Sequence, residues 1–280
     1  MGKPSKIAIG RMIKATLRRT PLRRAVMAFR HLGLRPEDVF LASYPRSGNT
    51  WIRSLISSCI WGEAITNFSD MKNDEMPIVG FHRGAREIVQ GRGRLIKTHE
   101  SYRREYKRAI WIVRDPRDVL VSEYRLALRS QYFSGTLDEY TQDFVNHPRM
   151  APENWRVHTR SWAGSAIAGT PQMLSLRFED LRAEPEKHLG RILEFLGIPP
   201  TTETINRAIA QNSIDRMAAR HATYDQSFAG RQAAAIPAIN SGEVGAWRNT
   251  LSTHSANLLH DKFGVMMDKM GYEIPQCTNS

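Results

Sequence analysis

The sequence has very little cysteine and no long hydrophobic run. Cys59 and Cys277 are the only cysteines in 280 residues, so the chain offers neither a disulfide framework nor a cysteine-rich metal site. Every apolar run is far shorter than the ~18 residues that a membrane-spanning helix requires. Scarce cysteine is typical of a protein in a reducing compartment, and we expect a cytoplasmic location.

Acidic residues are missing from the first 36 positions, although the chain contains 28 of them. Ten of the 40 basic residues fall in that stretch, namely Lys3, Lys6, Arg11, Lys14, Arg18, Arg19, Arg23, Arg24, Arg30 and Arg35. The other 30 nearly balance the 28 acidic residues, so the formal net charge of +12 belongs mostly to the N-terminus. We therefore divide the chain into a basic arm, residues 1–36, and a single domain, residues 37–280, for which no nucleic-acid partner is expected.

The arm has the spacing of two amphipathic helices. Apolar residues recur at helical spacing from Ile9 to Leu17 and from Leu22 to Phe29, and Pro21 suits the first position of the second helix. Such helices could lie on an anionic membrane surface, gather an anionic acceptor, or pack on the domain with their basic side in solvent. An organelle transit leader is a further alternative. A non-catalytic module that binds membrane or nucleic acid is thus one hypothesis, supported by the arm alone.

The remaining composition suits one α/β domain, since 41% of the residues are hydrophobic and 24% are charged. Four short apolar segments predict strands, and helical patterns separate them. These segments lie near residues 39–44, 94–99, 109–114 and 173–178. Alternating strands and helices indicate a parallel sheet flanked by helices. In such a sheet, ligands bind beyond the carboxyl ends of the strands.

The stretch after the first predicted strand is suited to holding an anion. An apolar run leads into a tight turn and then a helical pattern, with the sequence Tyr44-Pro45-Arg46-Ser47-Gly48-Asn49-Thr50-Trp51. Backbone N–H groups of such a turn attract a phosphate-like group, and Arg46, Ser47 and Thr50 add donors. An ordinary buried strand-to-helix turn is the other interpretation. A P-loop kinase or triphosphatase is an alternative function, although its Gly-Lys-Ser/Thr is missing; magnesium dependence with ATP would support it.

A second strand end carries candidate catalytic residues. The predicted strand 94–99 ends in Lys97, Thr98 and His99. A neutral histidine can take a proton from a hydroxyl at physiological pH, and Lys97 could stabilise developing negative charge. Glu100 is the alternative base, and a structural role for His99 is the other interpretation.

A third segment combines a buried strand, an arginine and a helix. The apolar run 109–113 ends in Arg114, and the following helix carries Ser122. Arg114 and Ser122 can converge on one anion, with two donors coming from the guanidinium. Arg117 and Asp118 are expected to face solvent or neighbouring loops.

Together these segments resemble the sulfotransferases that use 3′-phosphoadenosine 5′-phosphosulfate (PAPS). Residues 44–51 resemble the family's 5′-phosphosulfate loop, Tyr-Pro-Lys/Arg-Ser-Gly-x-Thr-Trp, and residues 114–122 resemble its 3′-phosphate motif. The Lys-Thr-His triplet stands where the family carries its catalytic base. Residues 242–248 resemble the family's third signature, G-x-x-G-x-W-K/R. The resemblance covers roughly residues 38–272.

The resemblance implies a P-loop-like three-layer fold and metal-independent sulfuryl transfer from PAPS to a hydroxyl, or less favourably to an amine. His99 is the implied general base, and Arg46 and Lys97 are implied to stabilise the leaving phosphate oxygen. The implied donor-binding residues are Tyr44, Pro45, Arg46, Ser47, Gly48, Asn49, Thr50, Trp51, Arg114, Ser122, Phe178, Ser241 and Gly242. A small molecule, a lipid or a glycan is the expected acceptor, and no motif identifies it.

Two positions depart from the family's pattern. Phe178 stands where the family usually has the tyrosine that touches adenine, so stacking could survive but a hydroxyl contact could not. Asn240 and Ser241 stand where many relatives place Arg-Lys to hold the 3′-phosphate. We expect either weaker donor binding or another basic residue in that role.

Overall fold

The computed structural model describes residues 21–62, 76–148, 150–213, 215–217, 219 and 242–273. Within these residues, four strands form one parallel sheet in the order β2-β1-β3-β4. Their bounds are β1 Val39–Ser43, β2 Leu95–Thr98, β3 Arg108–Val113 and β4 Met173–Arg177. The predicted parallel α/β sheet is confirmed, and each strand begins and ends within one residue of its predicted bounds.

Helices cover both faces of the sheet and make three layers. Side chains of β1 alternate between two core clusters: Phe40 and Ala42 belong to one, and Val39 and Leu41 to the other. The described helices are α1 Pro21–His31, α2 Asn49–Trp61, α3 Pro116–Arg129, α4 Leu137–Asn146, α5 Trp155–Ala163, α6 Phe178–Ala183, α7 Pro185–Leu196, α8 Thr202–Gln211, α9 Thr253–Lys269 and the 3₁₀ helix Ala246–Asn249. Helices α3, α4, α5 and α9 contribute to the first cluster, and α2, α6, α7 and α8 to the second.

Local sequence explains where the site helices begin. The Asp115 side chain accepts a hydrogen bond from the backbone N–H of Arg117 at 2.9 Å, and so caps α3 just after β3. Phe178, expected at the end of a strand, is instead the first residue of α6. Glu179 and Asp180 in the first turn favour this earlier helix start, because acidic side chains stabilise a helix N-terminus.

The described part of the basic arm contacts the rest of the chain through α1. His31 Nε2 lies 2.9 Å from the Tyr106 hydroxyl, and Arg30 donates to the backbone oxygen of Val79 at 3.0 Å. Residues 1–20, where the first amphipathic helix was predicted, lie outside the described residues. None of the helices that the structure describes is long and apolar enough to cross a bilayer.

A buried ion pair joins the starts of β1 and β2. The side chains of Asp38 and Arg94 are 0% and 1% exposed. Arg94 donates from Nε to Asp38 Oδ1 at 2.9 Å and from Nη2 to Oδ2 at 2.6 Å. The same guanidinium donates to the backbone oxygens of His82 and Gly33. One side chain therefore holds two strands and the segment after α1 together.

Replacing Asp38 with alanine should lower the free energy of unfolding by about 3–5 kcal/mol, because Arg94 would remain buried without its charged partner. Urea denaturation measures the change. Glu87→Ala is the matched control, since Glu87 pairs with Arg35 and Arg92 at the surface and its loss should leave stability nearly unchanged. Equal effects of the two substitutions would contradict the importance assigned to the buried pair.

Candidate active site

The carboxyl ends of three adjacent strands bring the predicted site residues to one edge of the sheet. Ala42 of β1 pairs in parallel register with Thr98 of β2 and Trp111 of β3. The loop after β1, the end of β2 and Arg114 after β3 therefore lie side by side, although they are far apart in the sequence.

The loop after β1, residues 44–48, turns tightly into α2. Arg46 and Gly48 both have a left-handed backbone, with φ of 67° and 88°. Helix α2 begins at Asn49, and no described side chain caps its N-terminus. Asn49 instead donates from Nδ2 to the backbone oxygen of Leu41 at 3.2 Å, which ties the loop to β1. The first N–H groups of α2 are therefore available to an anion.

Polar atoms in and beside this loop are buried without hydrogen-bond partners in the part of the chain that is described. They are the Tyr44 hydroxyl, Ser47 Oγ and Arg114 Nε. A buried polar group without a partner costs about 1–3 kcal/mol. Such a concentration at one loop indicates a site that a polar ligand completes.

Arg46, Arg114 and Ser122 form a chain of contacts across the site. Arg46 Nε donates to Ser122 Oγ at 3.0 Å. Arg114 donates from Nη1 to the backbone oxygen of Arg46 at 3.1 Å and from Nη2 to that of Glu243 at 3.0 Å. The two predicted phosphate-binding motifs are thus in direct contact with each other.

Positive charge is concentrated in this site. Burial and the charge of Arg114 lower the pKa of Arg46 to about 10, and burial lowers the pKa of Arg53 to about 10. Burial, with the charges of Arg53 and Arg46, lowers the pKa of Lys97 to about 8. Among the described residues, Arg46, Lys97 and Arg114 form no ion pair with a carboxylate. An anionic ligand would relieve the repulsion between these cations.

Phe178 covers the loop and contacts Arg114. A Cβ atom at Gly48 would lie 2.4 Å from the Phe178 ring, so only glycine fits there. The guanidinium carbon of Arg114 lies 4.4 Å from the centre of the ring, and the Trp51 ring packs edge-on at 6.0 Å. The Phe178 side chain is therefore enclosed and leaves little surface for an adenine ring.

The remaining predicted loop residues lie around the start of α2. Pro45 is buried, and Thr50 is half-buried in the first turn. Trp51 donates from Nε1 to the backbone oxygen of Asn212 at 3.0 Å, which fixes its ring beside α8.

His99 directly follows β2 with its ring orientation fixed. Nδ1 lies 2.7 Å from the backbone oxygen of Ser43. Because a carbonyl oxygen only accepts, Nδ1 carries the proton and Nε2 carries a lone pair in the neutral ring. Burial, reinforced by the charge of Lys97, lowers the pKa of His99 to about 3, so the ring is neutral at physiological pH.

The alternative base, Glu100, points towards α1. Its Oε1 lies 3.0 Å from Arg30 Nη1, and its Oε2 lies 3.2 Å from His31 Nε2. Tyr106 also donates to Oε2 at 3.1 Å. Burial acts to raise the pKa of Glu100, but the hydrogen bond with His31 and the charge of Arg30 outweigh it and lower the pKa. The carboxylate thus has three partners on the side of α1.

Arg117 and Asp118 are buried, so the expectation of solvent exposure is wrong and that of loop contacts is correct. Asp118 accepts hydrogen bonds from the backbone N–H groups of Gly245 at 2.7 Å and Trp247 at 3.1 Å. The guanidinium carbon of Arg117 lies 3.7 Å from the centre of the Trp247 ring. Sequence reasoning missed this role of Asp118, because an acidic residue in a first helical turn is common for local reasons alone.

The third signature segment thereby reaches the site. Gly242 has a left-handed backbone with φ of 60°, and the next residue, Glu243, accepts the hydrogen bond from Arg114. Ser241, also predicted to bind the donor, lies outside the described residues.

The chain is similar in sequence to proteins of known class. A family model described as sulfotransferase domain matches residues 36–271. Sulfotransferase 1C2 of Rattus norvegicus is 23% identical over 269 residues, which cover 85% of this chain and 84% of that protein. Sulfotransferase 1E1 of Bos taurus is 25% identical over 258 residues, which cover 82% of each.

Solved structures share the fold. Retinol dehydratase in complex with androsterone and the inactive cofactor PAP superposes with a TM-score of 0.72 at 19% identity, covering 91% of this chain and 88% of that chain. Mouse sulfotransferase SULT7A1 complexed with PAP gives a TM-score of 0.63 at 19% identity, covering 87% and 91%. The expected P-loop-like three-layer fold is confirmed, and the protein is an enzyme of the sulfotransferase class. The chain belongs to the sulfotransferase domain family.

Replacing Asp118 with alanine should speed hydrogen exchange at the Gly245 and Trp247 amides about 10- to 100-fold. Each amide loses a hydrogen bond to a charged acceptor, which contributes about 1.5–3 kcal/mol. Exchange followed by mass spectrometry measures the effect, and Asp261→Ala, which removes a surface partner of Lys262, is the control. Unchanged exchange in the Asp118 variant would show that α3 does not hold this segment.

Proposed function

We propose that the protein transfers a sulfuryl group from PAPS to a hydroxyl group, with His99 as the general base. The observation that best supports this proposal is the positive charge of the site. Arg46, Lys97 and Arg114 lie at one edge of the sheet without a described carboxylate partner, beside the neutral ring of His99. Binding of a polyanionic donor requires the cations, and removal of the acceptor's proton requires a neutral histidine ring.

The proposed donor site has two parts. Loop 44–51 and the N-terminus of α2 hold the 5′-phosphosulfate, and the unpartnered Ser47 Oγ and the Arg46 guanidinium add donors. Arg114 and Ser122 hold the 3′-phosphate, towards which the unpartnered Nε of Arg114 offers a further donor. Proteins with the same fold have been solved in complex with PAP, which supports a PAPS-type donor for this chain.

Phe178, Ser241 and Gly242 complete the proposed donor set. Because Phe178 is enclosed by Gly48 and Arg114, we assign it the role of shaping the loop and orienting the guanidinium. Gly242 lets the chain turn so that the next carbonyl group can hold Arg114. Ser241, which stands where many relatives have a basic residue, is assigned to the donor site from its place in the sequence alone.

The proposed reaction is an in-line displacement at sulfur. Bound PAPS supplies a sulfuryl group that is activated by a phosphate leaving group. His99 Nε2 takes the acceptor's hydroxyl proton while the hydroxyl oxygen forms its bond to sulfur. As the bond from sulfur to the bridging phosphate oxygen breaks, Arg46 and Lys97 stabilise the charge on that oxygen. The carbonyl group of Ser43 stabilises the positive charge that His99 gains.

A screen with labelled PAPS against phenols, alcohols, glycans and amines tests the function and identifies the acceptor class. Related structures contain androsterone and retinol, which supports screening small apolar alcohols first. Transfer to none of these acceptors, together with magnesium-dependent ATP hydrolysis, would favour the kinase or triphosphatase alternative. That alternative lacks its lysine here, since Gly48 is followed by Asn49 and Thr50.

His99→Ala should lower the rate of single-turnover transfer about 10²–10⁴-fold, the usual contribution of a general base. The affinity for PAP should change little, because His99 faces the acceptor. Glu100→Gln is the control, since its carboxylate faces α1 and its loss should have a much milder effect. A wild-type rate in His99→Ala with an inactive Glu100→Gln would assign the base to Glu100.

The affinity for PAP should fall as the pH rises through about 8, the lowered pKa of Lys97. Only the protonated amine attracts the polyanion, and bound anion raises the pKa, so affinity is full below this pH and weakens above it. Calorimetric titrations at about pH 7 and about pH 9 measure the change. Lys97→Met should bind more weakly and without this pH dependence. A pH-independent affinity of the unmodified protein would contradict the role of Lys97.

The proposal also includes the location of the enzyme, its binding partners and the division of the chain into an arm and a domain. We propose a cytoplasmic enzyme with a small-molecule, lipid or glycan acceptor. Its single catalytic domain, residues 37–280, follows a basic arm, residues 1–36, that contacts anionic membrane. The sulfotransferase domain match, which begins at residue 36, supports the division.

A further inference from the structure

Exposed apolar side chains gather on one side of α1. Val26 and Phe29 lie one turn apart, and Leu32 directly follows the helix; these side chains are 49%, 61% and 55% exposed. Phe81 on an adjacent turn is 62% exposed. Phe29 and Phe81 are the only strongly exposed phenylalanines in the described part of the chain. We call these four residues the α1 patch.

The turn that carries Phe81 is held against α1. Arg83 donates to the backbone oxygen of Phe29 at 3.1 Å, and its guanidinium carbon lies 4.7 Å from the centre of the Phe29 ring. Arg30 donates to the backbone oxygen of Val79 on the same turn. Phe81 lies between these two anchor points in the chain, so it belongs to the same surface as α1.

The described charge that borders the α1 patch is mostly positive. Residues 79–86 contain no acidic residue, and Arg83 and Arg86 in that segment are exposed. Glu87 is paired with Arg35 and Arg92. Arg30 is paired with Glu100 on the inner side of α1.

We propose that the α1 patch is a docking surface for an anionic lipid bilayer. Exposed aromatic rings bordered by arginines suit the boundary between headgroups and acyl chains, where the rings are buried and the guanidinium groups bind lipid phosphates. An 11-residue helix such as α1 is too short to span a bilayer but can lie in its surface. The exposed guanidinium groups of Arg83 and Arg86 favour an anionic surface over a neutral apolar partner.

The opposite side of α1 contacts Glu100, the neighbour of the candidate base in the sequence. Arg30 and His31 hold the carboxylate of Glu100, the residue after His99. The helix that docks on lipid is therefore joined to the segment that directly follows His99. An acceptor dissolved in the bilayer would then have a short path to His99; this consequence rests on the proposed function, whereas docking does not.

Sedimentation with phosphatidylcholine vesicles that contain phosphatidylglycerol tests the proposal on the full chain. The double variant Phe29→Ser/Phe81→Ser should bind about 10- to 100-fold more weakly, because two rings lose their burial in lipid. Arg83→Gln should weaken binding about fivefold, and it keeps the test valid if the double variant does not fold. Val265→Ser and Lys262→Gln on α9 are matched controls, since Val265 is 89% exposed, and both should bind normally.

Three results would overturn the proposal. The first is undiminished vesicle binding by both patch variants, which would leave the charge of residues 1–20 as the cause. The second is equal binding of the unmodified protein to pure phosphatidylcholine. The third is complete loss of vesicle binding after deletion of residues 1–20, which would mean that this segment binds the lipid and the α1 patch does not. Because vesicle binding requires no sulfuryl transfer, its outcome is independent of the proposed reaction.

Discussion

Repulsion between buried cations is the constraint on which the site depends. Arg46, Arg53, Lys97 and Arg114 meet at the carboxyl edge of the sheet, where burial and mutual repulsion lower the pKa values of Arg46 and Lys97. Neutral groups, not carboxylates, hold these side chains: Arg114 donates to two backbone oxygens, and Arg46 donates to a hydroxyl. The positive charge is therefore oriented but not neutralised, as binding of a polyanion requires.

Carboxylates do occur close to the site, and each is engaged elsewhere. Asp115 pairs with Arg117 at 2.6 Å, and Asp118 accepts two backbone N–H groups of the third signature segment. Glu100, which adjoins the candidate base, is held by α1. Burial lowers the pKa of Arg114, and the charges of Asp118, Glu179 and Asp115 partly offset this effect without forming an ion pair with Arg114. The contacts of Asp115, Asp118 and Glu100 also fix the loops that carry the site.

One side of helix α1 packs near the candidate site, and its other side carries the exposed α1 patch. The sequence alone does not relate these two features. Its inner side contacts Glu100 and Tyr106, which lie next to the strand that carries His99. Its outer side carries the apolar residues of the α1 patch. The described part of the basic arm, which looks like a separate appendage in the sequence, thus packs against the segment that follows β2.

The sequence by itself determined the four strands, the tight strand-to-helix loop after the first of them, and the family. Apolar runs and the turn at Gly48 are local signals, and parallel strands necessarily bring their carboxyl ends to one edge. Only the tertiary structure decided which nitrogen of His99 carries the proton, where Glu100 points, and that Asp118 is buried beneath a distant loop. Each of these features depends on a hydrogen bond of about 3 Å between atoms from segments that are far apart in the sequence. A local sequence pattern does not specify such a contact.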